Sequence, residues 1–569
     1  MSFIGTIDSI KWLTVYTAFL IVLQLFVLLR YALPIKNQVR AFDFVPSVGV
    51  LVALVSLLIV GDASLPALVL YGLTVLQFLL TLQRLFQRKR PWVPSRKPLI
   101  RVVRMAIGLL GVIPISISLM YAGVLRYNPT SEFGELGYAE AFVRMNDRLS
   151  REYPFGEWKN IDWRALRNKY EPIFAKADQD SDEAAYYRTL REYLFSFKDG
   201  HVKIANENVY DGNNHFYDSV GGGFGISVVK LDNGEVLASF VIPGSPADLG
   251  GMKPGAEIVG WNGMTAEEAF ERTSWSDANS ATIEAIAENK GRFMARAKVG
   301  NSVRVEFRNL GEQRLIATKL TAYDDGFETL KRTKPKLTEA DLKVSPVESQ
   351  WLDNGIGYVK IKHLLSSPGV ISPTKSVGEA IRGFLEKQVK GLIIDLRNNP
   401  GGEDQMAADI AAFFVQERQH YETVSYYNRN SGRFEVNRNE IISVVPREPY
   451  YGGKIAILIN NRTGSSAEGI PLALDGLPNV TVIGFTPSAA SFGIMSSPIE
   501  IELPGDLAVH FPDGRSLDEK GRIQGDSNGA GIGGAIPDIR IPLNEDTFRE
   551  RYLEGRDVEL QSAIEALSR

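Results

Sequence analysis

Ile393-Ile-Asp-Leu-Arg-Asn-Asn-Pro-Gly-Gly402 decides how this chain is read. Gly391 to Leu396 is nearly continuous in apolar residues, the pattern of a strand buried on both faces, and such strands belong to sheets covered by helices. The run stops at Asn398-Asn-Pro-Gly-Gly402, where proline and two glycines end the strand and let other backbone come close. On one side stand a strand over Gly355–Ile361 and a helix over Val377–Gln388; on the other, an apolar strand over Lys454–Asn460. Strands alternating with helices predict an α/β core over residues 340–545.

The second strand runs into Asn461-Arg-Thr-Gly-Ser-Ser-Ala-Glu468 and then a helical pattern. A serine at such a junction has its hydroxyl at a helix N-terminus, where free N–H groups and the dipole favour developing negative charge. Ser465-Ser-Ala-Glu468 is also a capping box before an apolar helix. The Asn-Asn-Pro-Gly-Gly turn in the same chain favours the chemical reading over the cap.

Upstream, residues 216–325 change to short β runs with glycine turns. Gly221-Gly-Gly-Phe-Gly-Ile-Ser-Val-Val229, followed by Pro243-Gly-Ser-Pro-Ala247, Pro254-Gly255 and Asn262-Gly263, resembles a PDZ domain. That resemblance implies capture of an extended peptide tail by strand addition, its carboxylate held by the loop Gly222, Gly223, Phe224, Gly225 and Ile226; a spacer with a blocked groove is the other reading. Residues 131–215 read as helical, with apolar three- and four-residue spacings over Tyr138–Leu149 and Glu183–Phe195. Asp178, Asp180 and Asp182 alternate as in a calcium loop, but Glu183 and Thr189 stand where glycine and the bidentate carboxylate are needed, so an acidic helix start is expected.

Residues 1–126 carry 13 Lys/Arg against 3 Asp/Glu, a net of +10, which leaves −14 for residues 127–569 within a chain total of −4. Four apolar runs occupy this basic piece, at Trp12–Leu29, Phe44–Val60, Leu65–Leu82 and Met105–Leu125. Each is long enough for a helix to cross roughly 30 Å of hydrocarbon, so four transmembrane helices are expected. Cations crowd the first and third loops, with Arg30, Lys36 and Arg40 in one and Arg84 to Arg104 in the other, so these face the cytoplasm and the large acidic piece lies outside it, in the periplasm of a cell with an outer membrane. The Arg88–Arg104 cluster reads as topology and contact with the lipid bilayer, not as a nucleic-acid surface. Gly108 and Gly111 leave room for a membrane partner or a second copy.

At this point a family is recognisable. Ile393–Gly402, Thr463-Gly-Ser-Ser-Ala-Glu468 and Gly534-Ala-Ile-Pro-Asp-Ile539, with Asp199-Gly-His201 ahead of them, resemble the C-terminal processing (S41, tail-specific and tricorn-like) serine peptidases. Together with the four-span anchor over 1–126, the resemblance implies a multidomain chain: a helical part over 131–215, a PDZ-like domain over 216–325 and a ClpP/crotonase-like α/β core over 340–545, followed by a C-terminal helix over 546–569. It implies Ser465 as nucleophile, with Gly401 and Ser466 N–H groups as the oxyanion hole. Members of the family pair this serine with a lysine about 25 residues on; here that position is Ala490, and no lysine occurs between Lys454 and Lys520. The tricorn-like branch uses histidine, which His201 matches, and either Glu468 or Asp526 is the orienting group.

No cysteine is present, so a disulfide framework, thiolate ligands and a cysteine nucleophile are excluded. His215, His363, His420 and His510 are scattered without metal-ligand spacing, so neither metal nor cofactor is expected. The reading is a membrane-anchored extracytoplasmic endopeptidase acting on polypeptide tails. Its alternative is a catalytically inactive relative that binds tails as a receptor or scaffold, because the lysine is missing.

Overall fold

The computed structural model describes residues 132–568 apart from 206, 208, 211–213, 335, 336, 353 and 430. It divides the chain into two units, Met1–Thr130 and Ser131–Arg569, and the second carries all the described elements. Among the described residues no helix is long and apolar enough to cross a membrane. The expected fold class is corrected on this point: the described residues contain no spanning helix, and the four runs between Trp12 and Leu125 lie outside them. The multi-pass location and lipid contact built on those runs are not shown.

The chain first forms three helices, α1 Tyr138–Glu152, α2 Trp163–Asp180 and α3 Glu183–Phe195. Asp162 and Asp182 cap the last two, accepting from Ala165 N–H (2.8 Å) and Ala185 N–H (2.9 Å). Asp182 thus starts a helix and is no part of a calcium loop. Aromatic side chains dominate the helical core, with Phe142, Tyr153, Tyr170, Phe174, Tyr193 and Phe197 buried together. After α3 the chain reverses at Lys198, whose φ is +47°, and enters Asp199-Gly-His201.

Next comes a small β unit. Its strands β1 Gly222–Gly223, β2 Ile226–Lys230, β3 Val236–Val241 and β4 Glu257–Trp261 lead to α4 Ala266–Arg272 and α5 Ile283–Phe293, then β5 Ser302–Arg308 and β6 Leu315–Thr321. The main sheet runs β2-β3-β4-β5-β6 and encloses Ile226, Val228, Ile258, Phe270, Val305 and Phe307. β2 is its edge strand, and α5 lies along it: a Cβ added to Gly291 would meet the Val228 carbonyl oxygen at 2.2 Å.

The core sheet is built from β7 Val347–Trp351, β8 Ile356–Ile361, β9 Gly391–Asp395, β10 Lys454–Leu458, β11 Val480–Gly484 and β12 Ile539–Arg540, in that spatial order. β7 is antiparallel to β8, and all other neighbours are parallel. Every residue of β9 is buried. Leu392 and Ile394 pack with α6 Pro373–Glu386 and α7 Asp404–Ala411, whereas Ile393 faces the opposite layer beneath the C-terminal helix, α9, Val558–Ser568. Each such side chain contributes about 1.5–3 kcal/mol of burial, which fixes the register, because a one-residue slip exchanges the two faces. Between β10 and β11 stands α8, Ser466–Ala473.

Candidate active site

β9 and β10 are neighbours at the centre of the sheet, so the turns leaving their carboxyl ends meet. Asparagines knit the two turns together. Asn460 Nδ2 donates to Asn398 Oδ1 (3.1 Å), Asn398 N–H donates to Asn460 Oδ1 (3.1 Å), and Gly464 N–H donates to the Asn399 carbonyl (2.9 Å). Gly401 has φ +94°, and a Cβ there would stand 2.6 Å from the Gly464 carbonyl oxygen and 2.7 Å from Ser465 Cβ. Only glycine allows this contact.

Ser465 occupies a conformation that L-residues avoid, φ +52° and ψ −135°, at the foot of α8. The expected capping box forms only in half. Glu468 accepts the Ser465 backbone N–H (3.1 Å), but Glu468 N–H goes to the Ser465 carbonyl (2.8 Å), so the Ser465 hydroxyl makes no cap bond. It has no hydrogen-bond partner among the described residues. The tetrapeptide is therefore held through the Ser465 backbone, with no side-chain cap hydrogen bond.

Glu468 is fully buried and gathers the next segment. Besides Ser465 it receives Ala490 N–H (2.8 Å), Ser491 N–H (2.8 Å) and the Ser488 hydroxyl. Burial pushes its carboxyl up to about 7, against the pull of these donors. Ala490, standing where the resemblance leads one to expect lysine, has φ +53° and a buried methyl.

Ser491 links this group to the histidine. A Cβ added to Gly200 would come within 2.5 Å of Ser491 Oγ, so Asp199-Gly-His201 lies against the same loop that Glu468 holds. Asp199 is fully buried; it accepts from Tyr153 O–H (2.7 Å) and from His201 N–H (2.9 Å), an Asx turn that fixes the imidazole's backbone. His201 Nδ1 is buried, lies 3.9 Å from Asp199 Oδ1 and has no hydrogen-bond partner. Burial lowers the His201 pKa, partly offset by Asp199 and reinforced by Lys203, so the ring is neutral at pH 7. Asp526 completes the cluster, because Ser527 N–H donates to the Ala490 carbonyl (3.3 Å). Both Asp526 carboxyl oxygens are buried without a partner, and burial, with Asp199 and Glu468 nearby, drives its pKa well up, opposed by Lys159.

Ser465, Ser466, Gly401, Glu468, His201 and Asp526 are thus brought into one region. Two expectations change. Gly401 N–H is already donated to Asn399 Oδ1 (2.9 Å). In the β unit, Gly222 and Gly223 are the middle strand of a three-stranded sheet with residues 296–297 and 323–324, and Phe224 N–H donates to the Ala295 carbonyl (3.3 Å). Those loop donors are engaged within the chain. Asn399, Ser488 and Ser491 escaped the sequence reading because nothing local marks them; Asp199, two residues before the histidine, carried an Asx-turn signal. Among the described residues, no cluster of three or more His, Asp or Glu could hold a metal ion.

Residues 355–541 match the family model described as Peptidase family S41. The carboxy-terminal processing protease CtpA of Bacillus subtilis (strain 168) is 27% identical over 264 residues, 46% of this chain and 46% of its own. The carboxyl-terminal-processing protease of Picosynechococcus sp. is 23% identical over 451 residues, 77% of this chain and 92% of its own. Mature CPAF complexed with lactacystin shares the fold at a TM-score of 0.53, with 13% identity over 76% of this chain and 98% of that one. The chain spans about half the length of the first of these relatives. Residues 355–541 are accordingly similar to the family S41 peptidases, and the chain resembles carboxy-terminal processing proteases over part of its length.

Proposed function

We propose that the chain is a serine endopeptidase of the carboxy-terminal processing type, with Ser465 as nucleophile and His201 as general base. The observation that carries this reading is the strained Ser465, its hydroxyl free at the start of α8 while Glu468 holds its backbone. Neutral His201 takes the Ser465 proton as the hydroxyl adds to the scissile carbonyl, then gives it to the leaving amine as the acyl-enzyme forms. Water reverses the sequence and frees the product. Ser466 N–H and Gly402 N–H supply the oxyanion donors, and Asp526, with Asp199 beside it, orients the imidazole. An extracytoplasmic site of action goes with this reading, and the absence of cysteine is compatible with it.

Polypeptide tails are proposed to dock on the PDZ-like unit along β2. A cavity of about 550 Å3 opens beside Ser227, Val228 and Val229 and reaches Asn398, Asn461 and Arg462 of the catalytic turns. α5 covers the strand at Gly291, so a tail adding to β2 has to displace it.

A fluorophosphonate tests the chemistry. Ser465 should be labelled in the unaltered chain, and Ser465→Ala should lose both labelling and cleavage with its melting temperature kept. The second reading, tail binding without turnover, is favoured by Ala490 in the lysine position; it predicts tail binding with no labelling at Ser465.

A further inference from the structure

Behind the histidine lies a buried lysine that the proposed mechanism does not use. Lys159, between α1 and α2, is 6% exposed, and its ammonium group donates to the Lys198 carbonyl (3.0 Å), the Ser527 carbonyl (2.8 Å) and Ser527 Oγ (2.8 Å). Its three protons are therefore all placed. The acceptors are not arbitrary: Lys198 immediately precedes Asp199-Gly-His201, and Ser527 follows Asp526. The adjacent Trp158 Nε1–H donates to the Asp526 carbonyl (3.2 Å), and Ser527 Oγ also reaches the Lys198 carbonyl (3.3 Å). One short segment thus clasps two strands of chain that are more than 300 residues apart in sequence.

Charge follows the same plan. The ammonium faces Asp199 and Asp526, with Lys198 as the neighbouring cation, and Glu468 faces Asp526 from the α8 side. Two buried carboxyl groups placed together cannot both stay ionised without a counter-charge. An ammonium group whose protons are all donated to these carbonyls and this hydroxyl is a poor proton acceptor for Ser465, so it does not replace the absent family lysine as base.

Resting on the peptidase reading above, we infer that Lys159 is a positioning residue: it pins Asp199-Gly-His201 to Asp526-Ser527 and supplies the positive charge against which both carboxylates are held beside His201. Removing the charge acts in one direction on pH dependence. The Asp526 carboxyl, which Lys159 holds down, keeps its proton to higher pH. This moves the acid limb of Ser465 reactivity upward.

The test is the rate of fluorophosphonate labelling of the full chain across pH 5–9. Lys159→Met should slow labelling about tenfold or more at pH 7 and shift its acid limb up by about one unit, whereas Lys159→Arg should keep the limb near its original place. Because Lys159 acts in part through Asp526, adding Lys159→Met to Asp526→Asn should cost less than Lys159→Met costs on its own. If Lys159→Met does not fold, as judged by circular dichroism, Ser527→Ala replaces it and should slow labelling with a shift of the same sign. Labelling of the altered chain at the original rate and with the original acid limb overturns the inference alone. No labelling of the unaltered chain overturns the peptidase reading and this inference together.

Discussion

Ser465 illustrates how a single backbone conformation separates a cap from a proposed nucleophile. Its positive φ turns the hydroxyl out of the capping position, and the cost of that conformation, about 1–3 kcal/mol, is offset by the buried Glu468 that accepts its N–H. Glu468→Gln replaces an acceptor-only group by an amide whose own N–H groups must face donors. Labelling of Ser465 should fall at least about tenfold, and the melting temperature should drop by several degrees. The lowered His201 pKa gives the pH profile its sign: the proposed base is neutral above its pKa, so labelling should be flat near pH 7 and fall only as pH drops below the ordinary imidazole value of about 6.5. Glu422 makes a stability prediction of the opposite kind. Buried near Asp404, its carboxyl is pushed up to about 8, so the folded chain holds this proton where the unfolded chain releases it. Stability should therefore decline as pH rises from about 4.5 through 8, by a few kcal/mol at most, and Glu422→Gln should flatten urea-melt stabilities between pH 5 and 9.

At the scale of elements, the motif Asp395-Leu-Arg397 is structural, not chemical. Arg397 pairs with Asp395 (2.6 Å), Asp557 (2.6 Å) and Glu559 (3.2 Å), and Tyr358 O–H donates to Asp395 (2.7 Å). This network staples the end of β9 to the start of α9, on the sheet face opposite α6 and α7. Arg397→Met would leave the fully buried Asp395 without its cation, and chemical denaturation should show a loss of about 3–5 kcal/mol. The adjoining turn behaves differently. Gly401→Ala would drive a methyl group into Ser465 and the Gly464 carbonyl, so labelling of Ser465 should fall far more than stability.

For the molecule as a whole, α5 connects the β unit to the catalytic turns. Glu288 of α5 accepts from Asn461 Nδ2 (2.6 Å) and is paired with Arg462, and Ile283 N–H donates to the Gly531 carbonyl (3.2 Å) in the segment after Asp526. A tail that adds to β2 must loosen these contacts, so hydrogen exchange across residues 283–293 should quicken when a tail peptide is added. Unchanged exchange under saturating peptide would exclude strand addition at this edge.

Sequence by itself determined the α/β core, the strand-turn-helix that carries Ser465 and the two helical stretches over Tyr138–Leu149 and Glu183–Phe195, because each rests on local periodicity and turn chemistry. It also showed that lysine is missing at Ala490. Only the tertiary structure decided that the Ser465 hydroxyl is free, that Gly401 N–H is already spent on Asn399, and that α5 closes over β2. The assembly of His201, Asp526 and Lys159 was likewise invisible, since hydrogen bonds and buried charge join residues more than 300 positions apart and leave no periodic trace in the chain. The four membrane spans that hydropathy predicted lie outside the described residues, among which no helix is long and apolar enough to cross a bilayer.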